Sequence, residues 1–183
     1  MIAINNGFKG HIEVSEMYRA AYATDASVYR ELPLGVAYPR SQEDLVALMH
    51  WANQEIKSLI PRGGGTSLAG QCVGNGLVID TSRYMNRILS IDKEKGTAIV
   101  EPGVIRDVLN RELAEYNLMF GPETSTSNRA TLGGMVGNNS SGSNSIIYGV
   151  TRENLVAITC VLSDGSVTTV SYTHLTLPTN RCV

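Results

Sequence analysis

One stretch constrains this chain more than any other: Pro61-Arg62-Gly63-Gly64-Gly65-Thr66-Ser67-Leu68-Ala69-Gly70-Gln71. Its side chains are mostly small or absent, so a ligand can come close to the main chain. Successive N–H groups in such a turn form a concavity for an anion. Thr66 and Ser67 add hydroxyl donors, and Arg62 adds a fixed positive charge. Together these features suit a phosphate or pyrophosphate. A Walker loop is excluded, because Gly65 and Gly70 have the required gap but Gln71 stands where lysine must be. The Gly-x-Gly-x-x-Gly pattern fails as well, with Leu68 at its third glycine. The stretch reads as a phosphate cradle of neither common type; its alternative is a plain surface turn.

At 183 residues the chain suffices for one ordinary domain or two small lobes. A net charge of −2 without a basic block argues against nucleic acid as a partner. No apolar run is long enough to span a bilayer, and the first residues lack the pattern of a signal peptide. Cys72, Cys160 and Cys182 show neither paired ligand spacing nor a disulfide framework, so no metal site is expected. A reducing, cytoplasmic setting follows, with peripheral placement at the inner membrane face left open for a longer protein.

The first 33 residues read as an irregular extension with a short helix within Val14 to Ala23, and Asp25 reads as a loop cap. Gly35 to Tyr38 reads as a strand stopped by Pro39. Ser41 is a good N-cap, with Asp44 three residues on, for a helix from Gln42 to Gln54. His50 within it is assigned to surface or packing. Ile56 to Ile60 and Gly76 to Asp80 read as strands, and Met85 to Ile91 with Thr97 to Val100 as a hairpin around Asp92 to Gly96. Val104, Val108, Leu109 and Leu113 mark an amphipathic helix to about Tyr116. Leu155 to Leu162 and Val167 to Val170 form a last hairpin across Asp164-Gly165. The mixture of hairpins and helices predicts an α+β fold.

A second polar cluster runs from Gly121 to Asn144. It is too long for an ordinary connection, and Leu132, Met135, Val136, Ile146, Ile147 and Tyr148 interrupt it as anchors. The reading is a ligand wall, with a plain linker as the alternative. The tail from Ser171 to Val183 resembles read-through of a library adapter, which would leave His174 and Cys182 without meaning; a genuine C-terminal strand is the other reading.

The two clusters together resemble the FAD-binding domain of the FAD-linked oxidase family, the type named after p-cresol methylhydroxylase and vanillyl-alcohol oxidase. The resemblance covers residues 34–170 and treats 171–183 as a non-native tail. It implies two α/β subdomains with the flavin between them. The implied cofactor contacts are Pro61, Arg62, Gly63, Gly64, Gly65, Thr66, Ser67, Gly70 and Gln71 from the pyrophosphate loop. From the second segment they are Pro122, Glu123, Thr124, Ser125, Thr131, Leu132, Gly133, Gly134, Asn138, Ser140, Ser141 and Gly142. Val156 and Ile158 follow from the strand that runs beside the adenosine or flavin portion.

Within the family, Thr124-Ser125-Thr126-Ser127-Asn128-Arg129-Ala130-Thr131-Leu132-Gly133-Gly134-Met135 is similar to the D-2-hydroxy-acid dehydrogenase branch, which includes D-2-hydroxyglutarate, D-lactate and glycolate enzymes. Covalent members attach flavin through a histidine in the first loop. No histidine lies between Trp51 and Gly165, so the resemblance implies non-covalent FAD. It also implies oxidation of a D-2-hydroxy acid to the 2-oxo acid, with hydride passing to flavin N5, and an unidentified electron acceptor. The catalytic groups, and any iron–sulfur cluster, are expected in downstream sequence, so no catalytic residue is assigned here. Arg129 either faces an anion near the flavin or serves as a salt bridge or loop clamp. The alternatives are an FAD-linked alcohol or sugar oxidase and a non-enzymatic nucleotide-binding module.

Overall fold

A computed structural model of the chain describes Ile2, Ile4 and residues 7–171. The adapter-like tail beyond Ser171 lies outside the described residues. The first layer is a four-stranded sheet in the order β1-β2-β4-β3. β1 (His11–Glu13) is antiparallel to β2 (Gly35–Tyr38), and β4 (Leu77–Asp80) runs parallel to both β2 and β3 (Leu59–Arg62). A short helix, α1 (Glu16–Ala21), precedes β2. The extension expected to be irregular therefore supplies an edge strand.

α2 (Gln42–Glu55) begins as the Ser41-x-x-Asp44 spacing dictates. Ser41 Oγ accepts the Asp44 N–H at 3.4 Å. The buried Asp44 carboxylate accepts from the N–H groups of Arg40 (2.8 Å) and Lys9 (2.7 Å), tying the N-terminal segment to the helix start. Leu48, Trp51 and Ala52 on α2 pack against Ala37, Leu77 and Ile79 on one face of the sheet. Val36, Tyr38 and Val78 alternate onto the other face. Burying one such large side chain stabilises by about 1.5–3 kcal/mol. The helix ends at Glu55, one residue later than expected, and is capped by Ile56, whose φ is 51°. The sequence reading that began a strand at Ile56 is corrected here: Ile56 is an exposed left-handed cap, and the strand starts at Leu59.

The second layer begins with β5 (Ile88–Asp92) and β6 (Thr97–Val100), an antiparallel hairpin. Asp92 Oδ1 accepts from the N–H groups of Glu94 and Lys95 to shape its turn. β5 starts at Ile88 rather than Met85; Met85 is buried in the preceding turn, where its carbonyl accepts the Gly103 N–H. α3 (Arg106–Ala114) closes a second core of Val104, Leu109, Leu113 and Leu132 against the hairpin. The expected long loop after it contains an element that the glycine count disguised, α4 (Leu132–Asn138). α5 (Ser145–Tyr148) and a 3-10 turn (Thr151–Asn154) follow. β7 (Ala157–Val161) and β8 (Val167–Ser171) form the final hairpin. Its turn reaches back to α2, where Asn53 Nδ2 donates to Ser163 O at 2.6 Å and the His50 ring lies over Gly165. His50 is thus an exposed residue that covers the turn at Gly165. The described residues form a mixed α/β fold with three hydrophobic clusters, one on each face of the first sheet and one against the β5–β6 hairpin. No helix among the described residues is long and apolar enough to cross a membrane.

Candidate cofactor cleft

The glycine-rich stretch leaves the end of β3, an edge strand on which Pro61 lacks no needed N–H. Pro61 and Arg62 are therefore strand residues, and the loop proper begins at Gly63. Arg62 turns away from the loop's open side. Its Nη1 donates to Thr24 O at 2.8 Å, and its guanidinium sits 5.0 Å from the centre of the Tyr22 ring. Gly65 has a φ of +63°, and a Cβ there would lie 2.5 Å from Arg62 Nη2. Only glycine lets the loop fold over that guanidinium. From the same side Ala26 donates its N–H to Gly65 O at 3.1 Å. The Ala26 turn is held in place by Asp25, whose Oδ1 accepts the Ser27 N–H at 2.8 Å. Burial pushes the Asp25 carboxyl up, but hydrogen bonds from Ser27, together with the Cys72 main chain and the Arg62 charge, hold the group below its ordinary value.

Ser67 folds the loop rather than offering a free hydroxyl. Its Oγ donates to Gln71 Oε1 at 2.6 Å and accepts from the N–H groups of Ala69 and Gln71. By contrast, the consecutive N–H groups of Gly64, Gly65, Thr66, Ser67 and Leu68 find no acceptor among the described residues. Gly65 to Ala69 line a cleft of about 600 Å³, a volume within the usual range for ligand sites.

The opposite wall comes from the second polar cluster. A tight turn follows Thr124, closed by N–H donation from Ser127 to Thr124 O and from Arg129 and Ala130 to Thr126 O. The start of α3 anchors it: Arg106 Nε donates to Pro122 O at 3.0 Å, and Ser127 Oγ donates to Asp107 Oδ2 at 3.0 Å. Thr131 then caps α4 by accepting the Gly134 N–H. At the far end of α4, Asn139 adopts a left-handed conformation, and its Oδ1 accepts the Arg152 N–H. Thr151, fully buried, donates both N–H and Oγ1–H to Ser140 O. These bonds hold Ser140 and Ser141 against the cleft.

The two walls touch where two glycines of the first meet the Thr131 side chain and the Arg129 main chain of the second. A side-chain atom on Gly63 would run into Thr131 Oγ1, and one on Gly64 into the Arg129 carbonyl. The structure brings Gly65, Thr66, Ser67 and Gln71 together with Thr124, Ser125, Asn138, Ser140 and Ser141 around one cleft. Glu123 and Gly142 line a recess of about 330 Å³ that shares Thr124, Ser125 and Ser141 with it. Gly63, Gly64, Gly70, Pro122, Thr131, Leu132, Gly133, Gly134, Val156 and Ile158 are on neither lining. Ala26, Leu68, Ala69, Thr126 and Arg129 also line the cleft; only the small-residue composition of the two clusters signalled most of them, and nothing signalled Ala26.

Arg129 is the one charged side chain among the described residues of that lining. Unpaired N–H groups, a cation and no carboxylate make a site for an anion. Thr124 Oγ1, buried without a hydrogen-bond partner, adds a polar atom that a ligand can satisfy. These groups fit a dinucleotide cofactor: the N–H row and Arg129 suit its diphosphate, and Thr124, Ser140 and Ser141 suit its polar ring edges.

Comparison with known proteins agrees with this chemistry. The sequence profile of the FAD binding domain family matches residues 33–171. The chain is 44% identical over 164 residues to D-2-hydroxyglutarate dehydrogenase of Escherichia coli (strain K12), a match covering 88% of this chain and 16% of that protein. It is 33% identical over 151 residues to glycolate oxidase subunit GlcD of Bacillus subtilis (strain 168), covering 81% of this chain and 32% of that one. The fold is similar to that of 6-hydroxy-D-nicotine oxidase from Arthrobacter nicotinovorans, with a TM-score of 0.81 at 23% identity over 96% of this chain and 38% of the other; at that identity the likeness concerns the fold alone. The family profile spans both walls of the cleft, and by it this chain belongs to the FAD binding domain family, in kinship with the D-2-hydroxy-acid dehydrogenases and oxidases.

Proposed function

We propose that residues 34–170 hold FAD non-covalently as the cofactor-binding unit of an enzyme that oxidises a D-2-hydroxy acid, of the D-2-hydroxyglutarate or D-lactate class, to the 2-oxo acid. The observation that carries the reading is the cleft between two glycine-containing loops, with a row of unpaired N–H groups on one wall and a buried unpartnered hydroxyl on the other. The substrate class rests on the similarity to D-2-hydroxyglutarate dehydrogenase and the glycolate oxidase subunit. FAD bound here supplies a two-electron acceptor for the hydroxyl-bearing carbon. The chain's own residues bind and orient: the N–H row takes the diphosphate, Thr124 and Ser140–Ser141 fix the polar edges, and Leu68 and Ala69 offer apolar contact. Non-covalent binding is supported by the histidines, since neither His11 nor His50 lines the cleft. The chain spans only 16% of the length of the D-2-hydroxyglutarate dehydrogenase, so the base, the acid-binding groups, any iron–sulfur cluster and the contact with an electron acceptor are assigned to other parts of a longer protein.

The test is gel filtration of the chain after incubation with excess FAD, read by absorbance. Flavin that co-elutes with the protein and appears free in solution after denaturation is the expected result. A folded, monodisperse chain that retains no flavin overturns the cofactor assignment, and flavin that stays with the denatured protein overturns the non-covalent one.

A further inference from the structure

Two arginines lie at the glycine loop, and only one is available to a ligand. We infer that Arg129, not Arg62, is the cation that neutralises the diphosphate of the dinucleotide. This inference rests on the reading that a dinucleotide occupies the cleft.

Arg62 is committed within the chain. It donates to Thr24 O, lies over the Tyr22 ring and is covered by Gly65. Its charge shapes the loop from behind. Arg129 has the opposite character. Its main chain is fixed: its N–H donates to Thr126 O at 2.9 Å, and its carbonyl meets Gly64 across the seam. Its side chain is exposed on the cleft lining and makes no hydrogen bond or ion pair with any described residue. A fixed Cα beside the N–H row with a free guanidinium is the arrangement a diphosphate needs, since the planar fork can bind two phosphate oxygens at once. No carboxylate competes on the cleft lining, and Glu123 in the neighbouring recess accepts from Asn144 Nδ2. Arg129 shares the cleft lining with Thr124, Ser125 and Thr126 on its own wall and with Gly65 to Ala69 on the facing loop.

The experiment is equilibrium titration of the chain with FAD, ADP and riboflavin, comparing wild type with Arg129→Ala, Arg129→Lys and Arg62→Ala, each with a thermal melt. Loss of a charge-assisted pair predicts that Arg129→Ala weakens FAD and ADP by about 10- to 100-fold. Riboflavin, which carries no phosphate, binds as before, and the melt is unchanged. Arg129→Lys recovers part of the loss, and raised salt narrows the gap between wild type and Arg129→Ala. Arg62→Ala lowers the melting temperature together with affinity for all three ligands. The inference is overturned if Arg129→Ala leaves FAD and ADP unchanged, or weakens riboflavin as much as FAD. A wild-type chain that binds ADP as tightly as FAD and ignores riboflavin overturns the flavin reading while the ADP series still decides Arg129. A wild type that binds none of the three overturns both.

Discussion

α4 offers an internal control for how tightly the second wall is packed. It contains Gly133, Gly134 and Gly137 within seven residues. At Gly133 a Cβ would lie 2.7 Å from Pro102 Cβ, 3.0 Å from its carbonyl oxygen and 3.2 Å from its Cα. The neighbouring backbone is fixed on that side, with the N–H of Gly133 donating to Pro102 O and that of Leu132 to Val104 O, each at 2.8 Å. Alanine at 133 must push these groups apart by about 0.7 Å to reach ordinary contact, an overpacking that costs about 1–3 kcal/mol. The helix-propensity gain of about 1 kcal/mol offsets part of it, for a net loss of up to about 2 kcal/mol. At Gly137 a Cβ meets nothing within 4 Å, and Gly137→Ala stabilises by about 0.5–1 kcal/mol. For a chain of this size the two variants move the melting temperature in opposite directions, down by up to about 8 °C and up by about 1–4 °C. Urea unfolding with linear extrapolation gives the free energies directly. Equal stabilisation by both variants would refute the claim that α4 starts against Pro102.

The other predictions concern the supports of the fold and cleft. Asp44→Ala leaves the Lys9 and Arg40 N–H groups without their acceptor and lowers the unfolding free energy by about 2–4 kcal/mol; Asp44→Asn, which keeps one acceptor oxygen, loses less, and equal losses in urea melts would count against the assignment. Thr151→Val removes the hydroxyl bond to Ser140 O and costs about 0.5–1.5 kcal/mol, with weaker FAD retention on gel filtration; retention equal to wild type would show that the Ser140–Ser141 strap does not depend on it. Hydrogen bonds from Arg87, reinforced by its charge, hold the Glu101 carboxyl below its ordinary value of 4.5, despite burial. A depressed folded-state value makes this contribution present above that ordinary value and lost as pH falls through the lower, folded one. Urea midpoints measured from pH 6 downward therefore fall in that acid window for wild type and less steeply for Glu101→Gln; parallel curves would sink the assignment.

What the sequence disclosed depended on how local the cause was. Ser41 and Asp44 signal a helix start within four residues, and α2 begins where they place it. The β5–β6 turn is likewise set by Asp92 acting two and three residues on. Ile56 misled because a β-branched residue favours extended backbone; it takes the left-handed cap of α2, where the Lys57 N–H closes onto Ala52 O. α4 was hidden by three glycines, although Thr131 signals its start as a capping residue and Leu132 and Met135 are spaced to bury one face. The cleft was legible as two small-residue clusters. The division of labour between Arg62 and Arg129 was not, because Thr24 and Tyr22, which take up Arg62, lie some 40 residues upstream and meet it only in the folded sheet.

The seam where Gly63 meets Thr131 and Gly64 meets the Arg129 carbonyl has a consequence for how such a site is mapped. Alanine scanning measures a contact by deleting atoms, and at these two positions there are none to delete. Every substitution is an insertion, so a scan run in the usual sense reports wedges driven between two lobes and not interactions removed from them. A graded series of alanine, serine and valine at Gly63 and Gly64 would instead act as a set of shims. It would translate side-chain volume into cleft width and give a physical ruler for how closely the two walls must approach before they hold a cofactor.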